Sequence, residues 1–333
     1  MPTWFEQLFG FEELDYEDTA ARFACQGSTL TSRVNGRSFE AGSFETPSVA
    51  ELRARVATLG TAGARVRHVA IGDVLELHAL PENRHAMFQV ASQLNCLEFG
   101  GPNEIPEHGV TQYAFDPTQG PACSLAAGAA TVVRNYFVPV DGVPGQRSDR
   151  QLDNSADLQR RLGSTDEFIT VHNGYTFSDE ARLDAMPAAI AATGREALIG
   201  AMRIGLQSRC QVTFARRFEE PESPTFVSQA FCSALSCGYN RLPISMWKPL
   251  ATIVLDAAYE ATLLAALAEV ESGIGSGVVW LTFLGGGVFG NDDAWIAAAI
   301  RRAIQRVPDP RLDVRVAHYR SINEPLRAAV DQG

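Results

Sequence analysis

Lysine is all but missing from this chain. Lys248 stands alone against a combined lysine and arginine count of 28, so the positive charge is carried by arginine. Acidic residues outnumber basic ones, 39 to 28, and the formal net charge is -11. Such a balance argues against nucleic acid as a partner, which calls for a basic face. It leaves nucleotide ligands open, because backbone N–H groups hold phosphates without cationic side chains. Cysteine is also sparse. The six, at Cys25, Cys96, Cys123, Cys210, Cys232 and Cys237, match neither a disulfide framework nor a zinc-ligand spacing. We therefore expect buried thiols, no metal and no cofactor. Residues 1–10 are too short and mixed for a leader. No apolar run is expected to reach the length of a membrane span. A cytoplasmic protein with no membrane partner is expected, with a secreted effector as the alternative. Oligomeric state is not legible.

What is present is globular: 46% hydrophobic and 20% charged residues over 333 positions. Residues 4–16 are aromatic and acidic and predict a helix. Thr46-Pro47-Ser48 opens an amphipathic helix to residue 58. Residues 66–77, broken by Gly72-Asp73, predict a hairpin, and 87–91 a short buried strand. Residues 120–135 begin with a Gly-Pro turn and become an Ala-rich helix. Residues 140–154 read as a loop, 168–176 as a strand and 178–202 as a helix or helix pair. Strands follow at 211–214 and 225–231. The last third is the most regular, with a helix at 250–271, a strand at 278–283, a helix at 293–306 and a strand at 312–316. Strand, glycine loop, helix, strand is the order of a doubly wound α/β sheet.

The strongest local signal is Leu281-Thr-Phe-Leu-Gly-Gly-Gly-Val-Phe-Gly-Asn291. An apolar strand ends in Gly285, Gly286, Gly287, Val288, Phe289 and Gly290, and a helix begins after Asn291 or Asp292. Glycine permits positive φ and close approach of the backbone to a phosphate. The following helix N-terminus adds donors and partial positive charge. The plain alternative is a glycine-rich turn that binds nothing. Phe289 suits packing on a ribose or, equally, covering the local core.

This segment resembles the second phosphate loop of macrodomains. The helix before it carries Tyr259-Glu260-Ala261-Thr262-Leu263, and the loop reads Gly287-Val288-Phe289-Gly290. Phe88-Gln-Val-Ala-Ser-Gln-Leu-Asn95 resembles the strand that ends in a ligand-contacting Asn, here Asn95. Thr225-Phe-Val-Ser-Gln-Ala-Phe231 resembles the strand before the long helix. The likeness covers residues 65–320. It implies a three-layer α/β/α fold with a mixed, largely parallel central sheet and helical extensions. The implied organisation is an N-terminal helical extension (1–64) and a macrodomain-like domain (65–330) with an insertion at about 140–220. The glycine triplet and Gln-Glu-Glu run of poly(ADP-ribose) glycohydrolases are absent after Asn95. Asn95-Cys96-Leu97-Glu98, Pro106-Glu107-His108-Gly109 and Asp116-Pro117-Thr118-Gln119-Gly120-Pro121-Ala122-Cys123 stand there instead. In this the chain is similar to the MavL-type branch, as it is in Phe231-Cys-Ser-Ala-Leu235 and Asn173-Gly174-Tyr175. That branch implies removal of ADP-ribose from modified arginine.

Cleaving such an N-glycosidic bond develops oxocarbenium character on the ribose and calls for a carboxylate and an acid or base. Asp116 is the first candidate because it precedes the candidate first phosphate loop, then Glu107, then Glu98; Glu104 reads as a solvated loop acid. Thr118, Gln119, Gly120, Ala122 and Cys123 are expected to line the ligand through that loop and its helix. Asn173, Tyr175, Tyr239 and Trp247 are candidates for the adenine or ribose side, with core packing as the alternative. Two further readings stay open. The chain is a reader that binds ADP-ribose or an ADP-ribosylated protein without cleaving it, or a thiol hydrolase using Cys123 or Cys96 with His108, His172 or His85.

Overall fold

The structure, a computed structural model, describes residues 2–331. Its N-terminal part departs from a purely helical extension. Helices α1 (Trp4–Phe9) and α2 (Tyr16–Ala21) lead into an antiparallel meander of β1 (Phe23–Gln26), β2 (Thr29–Ser32) and β3 (Ser38–Glu40). A capping box between Thr3 and Glu6 starts α1, and Gly10 at φ 79° ends it. That early stop is why the helix expected over 4–16 is only six residues long. β4 (Ser43–Glu45) then joins the main sheet, and α3 (Val49–Arg55) begins on a second capping box, Ser48 with Glu51.

Next come β5 (Arg65–Ile71), α4 (Val74–Ala79), β6 (Met87–Ala91), α5 (Gln119–Ala126) and α6 (Gly128–Tyr136). The hairpin expected over 66–77 is instead a strand followed by a helix. Asp73 caps that helix by accepting a hydrogen bond from the Leu75 amide. The segment expected to be an insertion holds the short hairpin of β7 (Pro139–Val140) and β8 (Val143–Pro144), α7 (Ala156–Leu162), the hairpin of β9 (Thr170–His172) and β10 (Tyr175–Phe177), α8 (Glu180–Thr193) and α9 (Arg195–Ala201). The chain finishes with β11 (Gly205–Gln211), β12 (Phe226–Cys232), α10 (Ile244–Glu271), β13 (Val278–Leu281), α11 (Asp293–Arg306), β14 (Asp313–Tyr319) and α12 (Glu324–Asp331).

The seven-stranded sheet runs β4-β11-β12-β6-β13-β14-β5. β12, β6, β13, β14 and β5 are mutually parallel, while β11 is antiparallel to both β12 and β4. One core, with Leu250, Val254, Leu263, Ile296 and Ile300, packs α10 and α11 on one face. The other, with Trp4, Phe5, Phe9, Ala126 and Val132, packs α1, α5 and α6 on the opposite face. The result is a mixed, largely parallel sheet between two helical layers, as the sequence led us to expect.

α10 corrects one expectation. It is 28 residues long, with a mean hydropathy of 1.6 over its most apolar window, long and apolar enough to cross a membrane. Asp256 and Glu260 interrupt its apolar run, which hid this in the sequence. The fold buries 94% of that window, so the apolar surface is spent on the protein core. The two acids are buried but paired, Asp256 with Arg195 and Arg302, Glu260 with Arg53 and Arg306.

Candidate active site

A cavity of about 360 Å³ opens at the carboxyl ends of β6, β12 and β13, where ligands sit in open parallel sheets. Its size is ordinary for a small-molecule site, roughly 300–1,000 Å³. One wall is the turn entering α5, with Thr118, Gln119, Gly120 and Pro121. The other is the loop after β13, with Gly285, Gly287, Val288 and Phe289.

Hydrogen bonds fix both walls. The Gln119 side chain accepts from the Ala91 amide (2.8 Å) and donates to the Gln89 carbonyl (2.8 Å), tying the start of α5 to the end of β6. Across the cavity, the buried Tyr259 hydroxyl donates to the Thr282 carbonyl (2.7 Å) and accepts from the Leu284 amide (2.9 Å). This is the physical content of the Tyr259–Leu263 pattern: α10 grips the junction of strand and loop. Thr262, one turn on, accepts from Gln89 Nε2 (3.0 Å). The Asn291 side chain donates to the Leu235 carbonyl (2.8 Å), and its amide donates to Gly285 (2.9 Å), closing the loop. Gly285 has φ 71°, and a side chain there would also meet Ala234 at 2.5 Å, so glycine is required.

Both walls leave donors free. Among the described residues, the amides of Gly287, Val288 and Phe289 reach no protein acceptor. At the start of α5, Thr118 makes no side-chain cap, and the amides of Gln119 and Gly120 are likewise unspent. No lysine or arginine lines the cavity. An anion held here is held by peptide dipoles.

Two carboxyl groups line the cavity. Glu98 is 3% exposed, its amide donates to the Tyr113 hydroxyl (2.9 Å), and its Oε1 has no hydrogen-bond partner. Burial pushes its carboxyl well above the usual range, the nearby Arg134 charge opposes this, and Asp116 reinforces it. Asp116 is half-buried. Its Oδ1 accepts from the Thr118 amide (2.8 Å) and hydroxyl (2.6 Å). The pair therefore comprises one carboxyl that burial drives toward its neutral form and one held in place by the Thr118 amide and hydroxyl.

Arg134, behind Glu98, is fully buried. It donates to the Cys96 carbonyl (3.2 Å), Ser124 (2.9 Å) and Thr131 (3.1 Å), and its guanidinium lies 3.7 Å above the Phe231 ring centroid. Sequence reasoning missed this residue, since an arginine in an apolar helix carries no site signal. The cavity also holds an aromatic cluster: Tyr175, Tyr239 and Phe289 meet with ring centroids 4.9–5.9 Å apart, and the Tyr175 hydroxyl donates to the Phe99 carbonyl (2.6 Å), next to Glu98.

Of the expected site residues, Asp116, Glu98, Thr118, Gln119, Gly120, Gly285, Gly287, Val288 and Phe289 converge on the cavity, as do Tyr175 and Tyr239. Ser92, Gln93, Phe99, Thr282 and Phe283 also line it and had not been anticipated. The end of an apolar strand was the signal for Ser92 and Gln93.

Several expectations need correcting. Glu107 does not line the cavity; its carboxylate accepts from the Ser148 amide and hydroxyl (3.0–3.1 Å), pinning the 145–151 segment. Asn95 is fully buried off the cavity, donating to Gln151 (2.7 Å), which donates to Asn173 (2.7 Å), which donates to the Pro102 carbonyl (2.7 Å). Asn95 and Asn173 thus hold the 95–105 loop rather than line a ligand site. Ala122 and Cys123 point into the core behind α5, and Gly286, Gly290 and Asn291 shape the second loop from outside the cavity lining. Trp247 is a core residue. Burial pushes the Cys96 thiol up to about 12 and Cys123 well above its ordinary value, so neither offers a thiolate near neutral pH. His108 is engaged with Glu104 at 2.8 Å. Among the described residues, no group of three or more His, Cys, Asp or Glu is placed to hold a metal ion.

The chain matches no family model and no curated protein. It does align with solved structures. The poly(ADP-ribose) glycohydrolase of Thermomonospora curvata superimposes over 92% of this chain and 93% of that one, at 14% identity and a TM-score of 0.46. The same enzyme bound to the inhibitor ADP-HPD gives a TM-score of 0.47. A point mutant of the Deinococcus radiodurans poly(ADP-ribose) glycohydrolase in complex with ADP-ribose aligns over 87% and 93%, at 13% identity and a TM-score of 0.47. Similarity at this level concerns the path of the chain and assigns no activity.

Proposed function

We propose that this chain is an ADP-ribosylhydrolase that binds ADP-ribose between the two glycine-rich walls and releases it from modified protein side chains, arginine-linked ones in particular. The observation that carries the reading is the convergence on one cavity of free amides from both walls with a buried, unpartnered Glu98 beside Asp116. The amides of Gln119 and Gly120 on one side, and of Gly287, Val288 and Phe289 on the other, suit a pyrophosphate. The Tyr175, Tyr239 and Phe289 cluster, adjoining Glu98 through the Tyr175–Phe99 hydrogen bond, offers ring surface to a ribose whose scissile bond lies at the carboxyl pair.

In this reading Glu98, held protonated by burial, gives its proton to the departing guanidine nitrogen as the bond from the anomeric carbon breaks. The Asp116 carboxylate stabilises the oxocarbenium character and takes a proton from the attacking water. The products are ADP-ribose and unmodified arginine. A desolvated acid beside an anchored carboxylate is costly for a protein that only binds, which favours hydrolysis over a reader.

The test is calorimetric titration with ADP-ribose, followed by turnover on arginine-, serine- and glutamate-linked substrates. Submicromolar to micromolar binding with cleavage of the arginine linkage is expected. Binding without turnover on any linkage establishes the reader, and no binding removes the whole reading.

A further inference from the structure

A second, larger hollow of about 670 Å³ adjoins the cavity and shares Glu98, Gly100 and Asp116 with it. Those three residues are thus a partition, with the pyrophosphate walls on one side and this open groove on the other. The groove carries Glu104 and Gln112 in addition, and no lysine or arginine. Glu98 supplies a buried, unpartnered carboxyl oxygen to the partition. Phe115 stands on the groove with 77% of its surface exposed, the most exposed large apolar residue among those described. Val288, 68% exposed, lies on the loop across the first cavity. A bound chain that covers such a side chain removes apolar surface from water.

We infer that this groove receives the polypeptide that bears the modified side chain, and that it selects a cationic segment, with Phe115 as the aromatic platform and Glu104 as the charge partner. The inference rests on the hydrolase reading, which places the scissile bond at Glu98 and Asp116. Anything attached beyond that bond must leave through the groove. A chain continuing with phosphates would meet acids and no cation there, whereas arginine or lysine side chains meet Glu104, Asp116 and a ring face. Glu104 is engaged only with the surface groups His108 (2.8 Å) and Gln112 (3.5 Å), partners an incoming guanidinium can replace.

The experiment compares steady-state hydrolysis of free ADP-ribosyl-arginine and of ADP-ribosylated peptides with basic or acidic flanks, in wild type, Phe115→Ala and Glu104→Gln. Expected are a higher kcat/KM for the basic peptide that falls with added salt, and a roughly two- to thirty-fold higher KM for it in Phe115→Ala, the range of a cation–π contact. Turnover of free ADP-ribosyl-arginine and affinity for ADP-ribose should stay within twofold in both variants. Equal kcat/KM for basic and acidic peptides, or variants that leave the peptide KM unmoved, overturns the inference while the hydrolase reading stands. Absence of ADP-ribose binding by the wild type overturns both.

Discussion

Replacing Glu98 by Gln tests the core of the proposed chemistry, because shape is kept and ionisation is lost. The carboxyl is 3% exposed, its Oε1 meets no donor, and burial raises its pKa. A carboxyl with a raised folded-state pKa binds more protons folded than unfolded, so its contribution to stability is fully present below its unfolded pKa. That contribution is lost as pH rises from the ordinary carboxylate range through the raised value. The variant escapes this loss. Its stability relative to wild type should therefore grow as pH rises from about 4 to about 8. Turnover should fall by roughly 10²- to 10⁴-fold, the usual share of a general acid. Affinity for ADP-ribose should change little. Wild-type kcat/KM should decline on the alkaline side as Glu98 loses its proton, above the usual carboxylate range. Denaturant melts at several pH values and single-turnover hydrolysis measure these quantities. A variant that hydrolyses normally, or a stability difference that is flat with pH, refutes the argument.

Three further outcomes are expected. Gly287→Glu should abolish ADP-ribose binding in a titration with no change in melting temperature, because a side chain at Gly287 meets nothing within 4 Å and projects a like charge at the pyrophosphate walls. Trp4→Ala should cost about 3–5 kcal/mol in denaturant unfolding. Trp4 is fully buried, stacks edge-on with Phe5, Phe9 and Phe214, and donates to the Thr111 carbonyl (2.9 Å). Asn95→Ala should loosen the 95–105 loop, seen as faster amide exchange there, and lower kcat through the position of Glu98, with ADP-ribose affinity largely kept.

On the proposed reading, the chain's free backbone donors also explain how an acidic protein can hold an anion. Peptide N–H groups act over short range and are unaffected by a net charge spread over a distant surface. The cavity meets that condition, since its walls contribute amides and the charged side chains lining it are Glu98 and Asp116.

How much of this was open to reading from residues alone follows the range of the interactions. Local patterns were legible. The apolar strand into Gly285–Gly290, the helix at Asp293–Arg306 and the buried strand at Met87–Ala91 depend on periodicity, caps and glycine, all encoded within a dozen residues. Thr118, Gln119 and Gly120 were legible for the same reason. Asp73 was misread because one residue serves equally as a turn former and a helix cap, and only the packing of α4 decides between them. Tertiary structure alone decided the ranking of the acids. Glu98, Glu107 and Asp116 look alike in a polar, Pro- and Gly-rich stretch. The fold ties Glu107 to Ser148, anchors Asp116 on Thr118, and strands Glu98 without a partner over Arg134. Desolvation depends on what surrounds a group in three dimensions, and so does the difference between Asn95 as a loop lock and Asn95 as a ligand contact. Sequence spacing sets which residues can meet locally; burial and long-range packing determine which carboxyl keeps its proton.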